Sequence, residues 1–285
     1  MTGVSKLRIG IQGIKASFHD VAAQKYFGKS QEIIPVECPT FRALCESLKK
    51  KEADFCIMAI ENSIAGSILP NYSLLEQFQF KIVGEIYLRI ELNLMALKGQ
   101  DIENLKSVQS HPMAIFQCED FLNSHPYLKI LEANDTAESA RDISSSNSVG
   151  LAAIASSMAA KTYGLEILKE NIESNKHNYT RFLIVSREDD YRELEGANKT
   201  SLRFQTAHKP GSLASVLNLF KEYDLNLTKI QSVPISGSPL EYSIHVDLEW
   251  KETESFNSTL KLLKTKSSNL IHFGNYVKAE RPSSK

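Results

Sequence analysis

The sequence predicts an α/β protein with two α/β lobes followed by a small C-terminal domain. From the N-terminus to about residue 185, short apolar runs alternate with segments of helical periodicity, which is typical of an α/β fold with a largely parallel sheet. A polar, charged segment interrupts this pattern at residues 189–199. After it, the order strand–helix–strand–strand–helix–strand is that of a ferredoxin-like domain.

Local signals predict the first elements. Leu7–Gln12 alternates as a strand does, and Ser17–Phe27 has a helical periodicity that Gly28 ends. Thr40 is placed to cap the next helix. Asp54–Ile60 is a nearly continuous apolar run, which predicts a strand buried on both faces. The alternation continues with strands at 106–109, 128–131 and 149–153 and helices at 112–122 and 136–143.

Two long extended stretches predict the division into lobes. Lys81–Leu97 is long enough to pass from one lobe to the other, and Tyr179–Ser186 could return the chain to the first lobe. The region 1–188 would then contain one lobe at roughly 1–83 with 174–188 and a second lobe at roughly 84–173. Because small-molecule sites favour the interface between lobes, we expect a binding cleft there.

The C-terminal region is predicted to be a separate domain at residues 200–280. Residues 189–199 are interpreted as a linker, since so polar a segment buries little apolar surface. The domain includes a loop through Gly237 and Pro239, and its strands and helices are predicted at 200–206, 211–223, 226–232, 241–250, 253–265 and 271–277. It contains no catalytic constellation, which favours a regulatory or dimerisation module.

Charge and composition restrict the partners. The formal net charge is −1, with 42% hydrophobic and 24% charged residues, so no basic field indicates a nucleic acid or a membrane surface as partner. No stretch approaches the ~18 apolar residues of a membrane span. The N-terminus shows no signal-peptide pattern and the four cysteines have no metal-ligand spacing, so we expect a cytoplasmic protein with reduced thiols.

Polar side chains follow two of the predicted strands. Ser17 begins a helix after the first strand, where free backbone amides can bind a carboxylate or phosphate. Directly after the buried strand, four hydrogen-bonding side chains surround Gly66: Glu61, Asn62, Ser63 and Ser67. So many polar groups at a strand end are costly unless they are used, and open α/β sheets bind ligands at this end of their strands.

Two later segments also carry candidate residues. His111 opens a predicted helix that contains Gln117, and His111 is either an acid or base or a capping residue. Thr180, Arg181 and Phe182 begin the last extended run of the first region. The natural use of Arg181 is a bidentate grip on a carboxylate. This segment meets the earlier ones only if its strand runs antiparallel to its neighbours.

Three motifs carry a family resemblance when they are taken in order. They are Glu61-Asn62-Ser63 with Gly66-Ser67, Ser110-His111-Pro112 with Gln117-Cys118, and Thr180-Arg181-Phe182. Together they resemble the prephenate dehydratase family over roughly Leu7–Val185, and the remainder is similar to an ACT regulatory domain. The resemblance implies a two-lobed, periplasmic-binding-protein-like catalytic region at 1–188 and a C-terminal ferredoxin-like (βαββαβ) ACT domain.

The resemblance also implies an activity. Prephenate would lose carbon dioxide and water to give phenylpyruvate, a step of L-phenylalanine biosynthesis, without a cofactor or metal. Thr180 would be the donor to the departing hydroxyl, with Glu61 as the alternative. The other implied residues assist, orient or bind the substrate: Asn62, Gln117, Ser17, Ser63, Ser67, His111, Arg181 and Phe182. Two alternatives stay open, namely an enzyme acting on arogenate and a non-catalytic two-lobed small-molecule sensor.

The same resemblance implies regulation by L-phenylalanine, bound between subunits of a homodimer or homotetramer. The implied effector residues are Gly211, Ser212, Leu213, Gln231, Ser232, Val233 and Pro234. The sequence departs from the family at four places. Ala59 stands where a proline usually precedes Glu-Asn-Ser, and Ser212 stands where the family's Gly-Ala-Leu turn has Ala. Gln231 and Val233 replace the Glu and Arg of a Glu-Ser-Arg-Pro motif, which leaves feedback open. In the first loop, Gly13-Ile14-Lys15-Ala16-Ser17-Phe18-His19 replaces Gly-Pro-x-Gly-Thr-Phe-Ser.

Overall fold

The computed structural model describes residues 6–28, 31–235 and 241–282. The described chain forms two compact units. Unit 1 comprises the described residues of Met1–Asn71, Ile86–Phe182 and Arg281–Lys285. Unit 2 comprises Tyr72–Glu85 together with the described residues of Leu183–Glu280. The predicted loop residues Gly237 and Pro239 lie outside the described residues.

The first sheet is built from strands at both ends of the first region. Its strands are β1 (Lys6–Gln12), β2 (Glu32–Cys38), β3 (Phe55–Asn62), β4 (Gly66–Ser67), β5 (Lys81–Arg89) and β11 (Tyr179–Ser186). Their order is β2-β1-β3-β11-β5, with β4 beside β3, and β1 pairs in parallel with β2 and β3. The helices in this part of the chain are α1 (Phe18–Phe27), α2 (Phe41–Lys49) and α3 (Leu69–Phe78).

The second sheet lies in unit 1. Its strands are β6 (Asn93–Ala96), β7 (Ser107–Ser110), β8 (Lys129–Glu132), β9 (Leu151–Ala155) and β10 (Glu166–Lys169), in the order β10-β6-β9-β7-β8. Strand β7 is parallel to β8 and β9, whereas β6 is antiparallel to β9 and β10. The helices that accompany it are α4 (Pro112–Gln117), α5 (Glu119–Asn123), α6 (Thr136–Ser146) and α7 (Ser157–Tyr163), and a short 3-10 helix covers Ile102–Asn104.

Several local predictions are confirmed. The Ser17 hydroxyl accepts from the Asp20 backbone N–H and caps α1, and the Thr40 hydroxyl accepts from Ala43 N–H at 3.1 Å and caps α2. Both bonds satisfy amides that a helix start leaves without an intrahelical partner. Strand β3 is buried on both faces, because Cys56–Ile60 are all at most 4% exposed.

Two predicted elements are divided in the structure. The stretch Lys81–Leu97 forms β5 and β6, which belong to different sheets. The helix predicted at 112–122 is broken at Cys118, whose φ and ψ of −108° and 20° are not helical. The Gln117 carbonyl there accepts from Ser174 N–H at 2.8 Å. A continuous helix would direct this carbonyl at an amide four residues later, so a contact distant in sequence accompanies the break.

The C-terminal part of unit 2 has the predicted ferredoxin-like order. It contains β12 (Lys199–Gln205), α8 (Ser212–Glu222), β13 (Asn226–Pro234), β14 (Tyr242–Glu249), α9 (Thr253–Lys266) and β15 (Ser268–Tyr276). The sheet order is β13-β14-β12-β15, and every pair is antiparallel. Its core includes Phe204 and Phe220 together with Trp250, which stacks on Phe256 at 4.2 Å between ring centroids.

No described helix combines the length and the apolar character that crossing a bilayer requires.

Candidate active site

A cavity of about 370 Å³ opens in unit 1 and collects residues from four of the predicted motifs. Its polar wall includes Ser17, Asn62, His111, Gln117, Asp135 and Thr180, and its apolar wall includes Phe41, Ala59, Ile90, Leu92 and Phe182. A concave, largely apolar site with a few convergent polar groups is the usual form of a small-molecule site. The catalytic candidates Thr180, Asn62 and Gln117 therefore line one space.

Thr180 ends a chain of side-chain amides. Asn178 Nδ2 donates to Gln117 Oε1 at 2.9 Å. Asn62 Nδ2 donates both to Asn178 Oδ1 at 2.8 Å and to Thr180 Oγ1 at 2.9 Å. These four residues are called the amide relay below. Asn178 is completely buried, and Gln117 and Thr180 are each 8% exposed.

Backbone contacts fix the direction of the relay. Asn62 Oδ1 accepts from the N–H groups of Ile64 and Ala65, each at 2.9 Å. Its Nδ2 must therefore be the atom that faces Thr180, since the amide oxygen is already occupied. Because the Thr180 oxygen accepts from Asn62, the proton of the Thr180 hydroxyl remains to be donated to another group. Thr180 lines the cavity, so a ligand there is a natural acceptor.

Strand β11 runs antiparallel to β3 where the two meet. Ser63 N–H donates to Tyr179 O at 2.8 Å, and the Ser63 hydroxyl donates to His177 O at 2.9 Å. The end of β3 thus lies beside the beginning of β11, which is the orientation that the Thr180 motif requires. Ser63 joins the two strands and does not line the cavity.

Three further predicted residues lie outside the cavity lining. Arg181 is 4% exposed and lies outside the cavity lining, because side chains alternate across a strand and the lining is formed by Thr180 and Phe182. Glu61 precedes Asn62 in β3 and is likewise outside the lining, and Ser67 pairs with Glu61 in the β3–β4 ladder. The predicted roles of Arg181 as a carboxylate grip and of Glu61 as the alternative proton donor stay predictions.

Ser17 and His111 line the cavity as helix caps. Ser17 is 2% exposed and caps α1. His111 caps α4, because its Nδ1 accepts from Met113 N–H at 3.1 Å. Of the two roles predicted for His111, the contact in this structure is that of a helix cap. Since an N-terminal helix end favours negative charge, both residues lie where an anionic group of a ligand is stabilised.

The charge distribution of the cavity wall is unusual. Its described lining contains no lysine or arginine. Asp135 caps a third helix, α6, through Oδ1 bonds to the N–H groups of Ala137 and Glu138, and burial raises the pKa of its carboxyl. Burial also lowers the pKa of His19 to about 3, so this imidazole is neutral. The polar wall of the described lining is thus formed by helix starts, uncharged side chains and the Asp135 carboxyl, without a cationic side chain.

Three lining or supporting residues were not predicted from the sequence: His19, Asp135 and Asn178. Asn178 lies two residues before Thr180, and residues at this spacing share a strand face, so alternation was an available signal. Asp135 precedes α6 at a position where aspartate is a common cap. His19 stands where the first-loop motif of the family has Ser, but its position depends on the packing of α1 against Phe182 and Phe41.

The fold and the cavity define an α/β enzyme that binds a small organic molecule, followed by a ferredoxin-like domain. The family profile described as prephenate dehydratase matches residues 9–190. This match covers more than half of the chain, so the chain belongs to the prephenate dehydratase family, whose members are carbon–oxygen hydro-lyases.

Relatives in sequence agree with this assignment. The chain is 36% identical over 276 residues to a bifunctional chorismate mutase/prephenate dehydratase of Aquifex aeolicus, covering 96% of this chain and 74% of that protein. It is 39% identical over 236 residues to arogenate dehydratase/prephenate dehydratase 1 of Arabidopsis thaliana, a chloroplastic protein. That match covers 83% of this chain and 59% of the Arabidopsis protein.

Two solved structures resemble the whole chain. One is a prephenate dehydratase from Arthrobacter aurescens in complex with L-Phe, with a TM-score of 0.85, 27% identity and coverage of 97% of this chain and 92% of that one. The other is GqqA, described as a novel type of quorum quenching acylase, also with a TM-score of 0.85 and 27% identity, covering 95% of this chain and 98% of that one. The fold is therefore shared by proteins with different described activities.

Proposed function

We propose that the chain converts prephenate into phenylpyruvate, carbon dioxide and water, with Thr180 as the donor to the departing hydroxyl. The observation that carries this proposal is the amide relay, in which Asn62 donates to Thr180 and leaves the Thr180 proton to face the cavity. The substrate loses a carboxylate and a hydroxyl from opposite ring positions and becomes aromatic. The protein then has to supply a proton or hydrogen bond and to hold the anionic ends.

The relay answers an objection to threonine as a donor. A threonine hydroxyl is a weak acid, so its role requires support for the negative charge that develops on its oxygen. Asn62 directs an N–H at this oxygen at 2.9 Å, and its own orientation is held by two backbone amides. Such preorganised donors stabilise charge more effectively in a buried site than in water. Thr180 is therefore preferred to Glu61, which lies outside the cavity.

The rest of the cavity matches a cyclic dianion. A carboxylate of the substrate is placed at the start of α1, near Ser17, because helix starts stabilise anions. The amides at the start of α6 already bind the Asp135 carboxyl. The ring packs against Phe41 and Phe182. Arogenate, which differs from prephenate only at the side chain, fits the same description and is the alternative substrate. The amide relay offers a hydroxyl donor, which a non-catalytic sensor does not require.

The decisive test measures phenylpyruvate formation from prephenate by the purified chain. We expect Thr180→Ala to lower kcat/KM by about 10²–10⁴, the usual contribution of a positioned proton donor, and Thr180→Ser to stay within about tenfold of the parent because it keeps the hydroxyl. Thr259→Ala is the matched control, since Thr259 is a buried threonine of α9 in unit 2. Equal losses for the Ser and Ala variants at position 180 would contradict the donor role, and turnover of neither prephenate nor arogenate would contradict the function.

We further propose that the ferredoxin-like domain is an ACT domain that binds L-phenylalanine. Gly211, Ser212 and Leu213 line one cavity of about 470 Å³, and Ser232 lines another of the same size. The complex of the Arthrobacter relative with L-Phe supports this ligand. Isothermal titration of the whole chain with L-phenylalanine should give saturable binding, and no heat from folded protein would remove the proposal.

The assembly and location are also proposals. A homodimer or homotetramer is expected, because the effector site of the proposed ACT domain would lie between subunits, and light scattering on the purified chain measures the mass. A cytoplasmic location agrees with the four cysteines, which are all buried free thiols. A monomer at all concentrations would contradict an effector site shared between subunits.

A further inference from the structure

Asp135 is the one Asp, Glu, Lys or Arg residue in the described lining of the cavity. It is half-buried, and its Oδ1 atom accepts from the N–H groups of Ala137 and Glu138 at 2.7 and 3.1 Å. Its Oδ2 atom accepts no hydrogen bond from the described residues, and it is not enclosed by protein atoms. A molecule in the cavity can therefore reach the second oxygen of this carboxylate.

The free oxygen of Asp135 lies beside the start of α1. Gly13 has a φ of +90°, and a Cβ atom at this position would lie 2.8 Å from Asp135 Oδ2 and 3.3 Å from Ser17 Cβ. The first loop thus brings Oδ2 close to Ser17, which caps α1 in the cavity wall. A helix start that stabilises an anion and a carboxylate that stabilises a cation therefore lie side by side.

These two neighbours match the two charges of a 2-amino acid. The carboxylate and the ammonium group of such a molecule are attached to the same carbon atom, so they occupy adjacent positions. When the carboxylate binds at the start of α1, the ammonium group lies next to Asp135 Oδ2. An ionised carboxylate only accepts hydrogen bonds, and an ammonium group only donates them. The keto oxygen of a 2-oxo acid also only accepts, so it would face Asp135 without a donor between them.

No described cation already pairs with Asp135. His111 and Arg141 act on its carboxyl electrostatically, but Arg141 pairs with Asp142 at 2.9 Å and lies outside the cavity lining. The two backbone donors at Oδ1 favour the ionised form, whereas burial raises the pKa of the carboxyl. A partly buried carboxylate without a counter-charge is costly, and the ammonium group of a ligand supplies that counter-charge.

We propose that Asp135 is a specificity-determining residue that binds the ammonium group of a 2-amino acid side chain, so that the chain dehydrates arogenate with a higher kcat/KM than prephenate. The inference rests on the proposed function and keeps Thr180 as the donor. The discrimination arises because a site built around one hydrogen-bonding pattern rejects the analogue that lacks it.

The reaction of arogenate has the same balance as that of prephenate. The bond between the ring and its carboxylate breaks, and carbon dioxide leaves. The electron pair of this bond completes the aromatic ring and expels the hydroxyl group at the opposite ring position. That group takes a proton at Thr180 and leaves as water, and solvent returns the proton to Thr180. The remaining product is phenylalanine, because the amino acid side chain is unchanged.

The test is the ratio of kcat/KM for arogenate to kcat/KM for prephenate, with phenylalanine and phenylpyruvate followed as products. Asp135→Asn removes the charge and keeps a side-chain oxygen that caps α6, since asparagine and aspartate are similar caps. We expect the ratio to fall by about 10- to 100-fold, mainly through a higher KM for arogenate, as for loss of a hydrogen bond between charged groups. The kcat/KM for prephenate should rise, because its keto oxygen no longer faces an anion.

Two further variants separate this role from folding and from long-range charge. Asp135→Ser also keeps a capping oxygen without a charge, and it should lower the ratio as Asp135→Asn does. Asp142→Asn is the matched control, because it removes a negative charge from the same helix at an exposed position outside the cavity lining. This control should keep the ratio of the parent.

The failure of this inference is distinguishable from the failure of the proposed function. A parent that prefers prephenate, or a ratio that is the same in Asp135→Asn, Asp135→Ser and the parent, would overturn the inference and leave the proposed function standing. A ratio that falls as far in Asp142→Asn as in Asp135→Asn would overturn it as well. Turnover of neither substrate by the folded parent would overturn both proposals.

Discussion

Buried polar groups are held in different ways in the two units. In unit 1 the amide relay uses neutral side chains and ends at a hydroxyl that faces a cavity. In unit 2, Lys199 Nζ lies 2.9 and 3.1 Å from the two carboxylate oxygens of Glu85 and 3.6 Å from Glu249. Glu85 also accepts from Ala279 N–H, and Glu249 also pairs with Lys278.

This difference distinguishes a ligand-binding site, the amide relay, from a structural ion cluster around Lys199. The Lys199 and Glu85 side chains are 1% and 0% exposed, and their charges are satisfied by each other and by adjacent protein groups. The amide relay has satisfied amides but leaves one donor for a ligand. Buried charges without partners are costly, so a cluster of ions must close on itself. A chain of neutral side chains can leave one donor free for a ligand at a lower cost, so it can position a reactive hydroxyl.

The largest expected effect is the loss of stability when the ion cluster of Lys199, Glu85 and Glu249 is broken. Lys199→Met should lower the free energy of unfolding by about 3–5 kcal/mol, because it leaves the Glu85 carboxylate buried without its cation. Urea unfolding followed by tryptophan fluorescence measures this change, since Trp250 is the only tryptophan and stacks on Phe256 in unit 2. Activity per folded molecule should change little.

Two controls sharpen this prediction. Lys199→Met combined with Glu85→Leu removes both charges and should recover much of the lost stability, as apolar replacements of buried ion pairs often do. Lys251→Met removes a lysine whose side chain is 87% exposed and should have little effect. A loss for Lys199→Met no greater than that for Lys251→Met would show that the cluster is not a structural element.

An intermediate effect, on catalytic activity, is expected when the amide relay is interrupted. Asn178→Ala should lower kcat/KM for prephenate by about 100-fold, equivalent to about 2.7 kcal/mol, because Gln117 and Asn62 lose the residue that links them. Asn275→Ala is the matched control, a buried asparagine of β15 in unit 2. If both variants lose stability but only Asn178→Ala loses activity, the relay is functional. Retention of activity in Asn178→Ala contradicts it.

The smallest expected effect concerns acid sensitivity in unit 2. Burial and the neighbouring Arg203 lower the pKa of His245 to about 4, against about 6.5 in an unfolded chain. The unfolded state therefore binds more protons as the pH falls through this window, and stability decreases. Between about pH 8 and about pH 6, His245 should account for a loss of about 1 kcal/mol.

His245→Phe removes the titrating group and keeps a ring beside Tyr72 and Phe273. Urea unfolding at the two pH values, followed by Trp250 fluorescence, should show a smaller pH-dependent loss for this variant than for the parent. His125→Phe is the matched control, because it removes a histidine that lies in unit 1 and not beside His245 in unit 2. An identical pH dependence for the parent and His245→Phe would contradict the linkage.

The sequence by itself determined the features that depend on neighbouring residues. The helix start at Ser17, the cap Thr40, the buried run of β3 and the ferredoxin-like order of unit 2 all agree with the structure. Caps and periodicity involve contacts within a few residues, and the side chain alone specifies them. The motifs that carry Thr180, Asn62 and Gln117 were recognised by their resemblance, taken in order, to the prephenate dehydratase family.

Only the tertiary structure decided which of these residues meet. The relay joins Gln117 to Asn178 across 61 positions and Asn62 to Asn178 across 116, so no local pattern reports it. Strand alternation placed Arg181 on the face of β11 opposite to Thr180 and Phe182, and the antiparallel approach of β11 to β3 brought Thr180 into the cavity. The physical reason is that a side chain's role depends on the direction in which the packed backbone points it, and long-range pairing sets that direction.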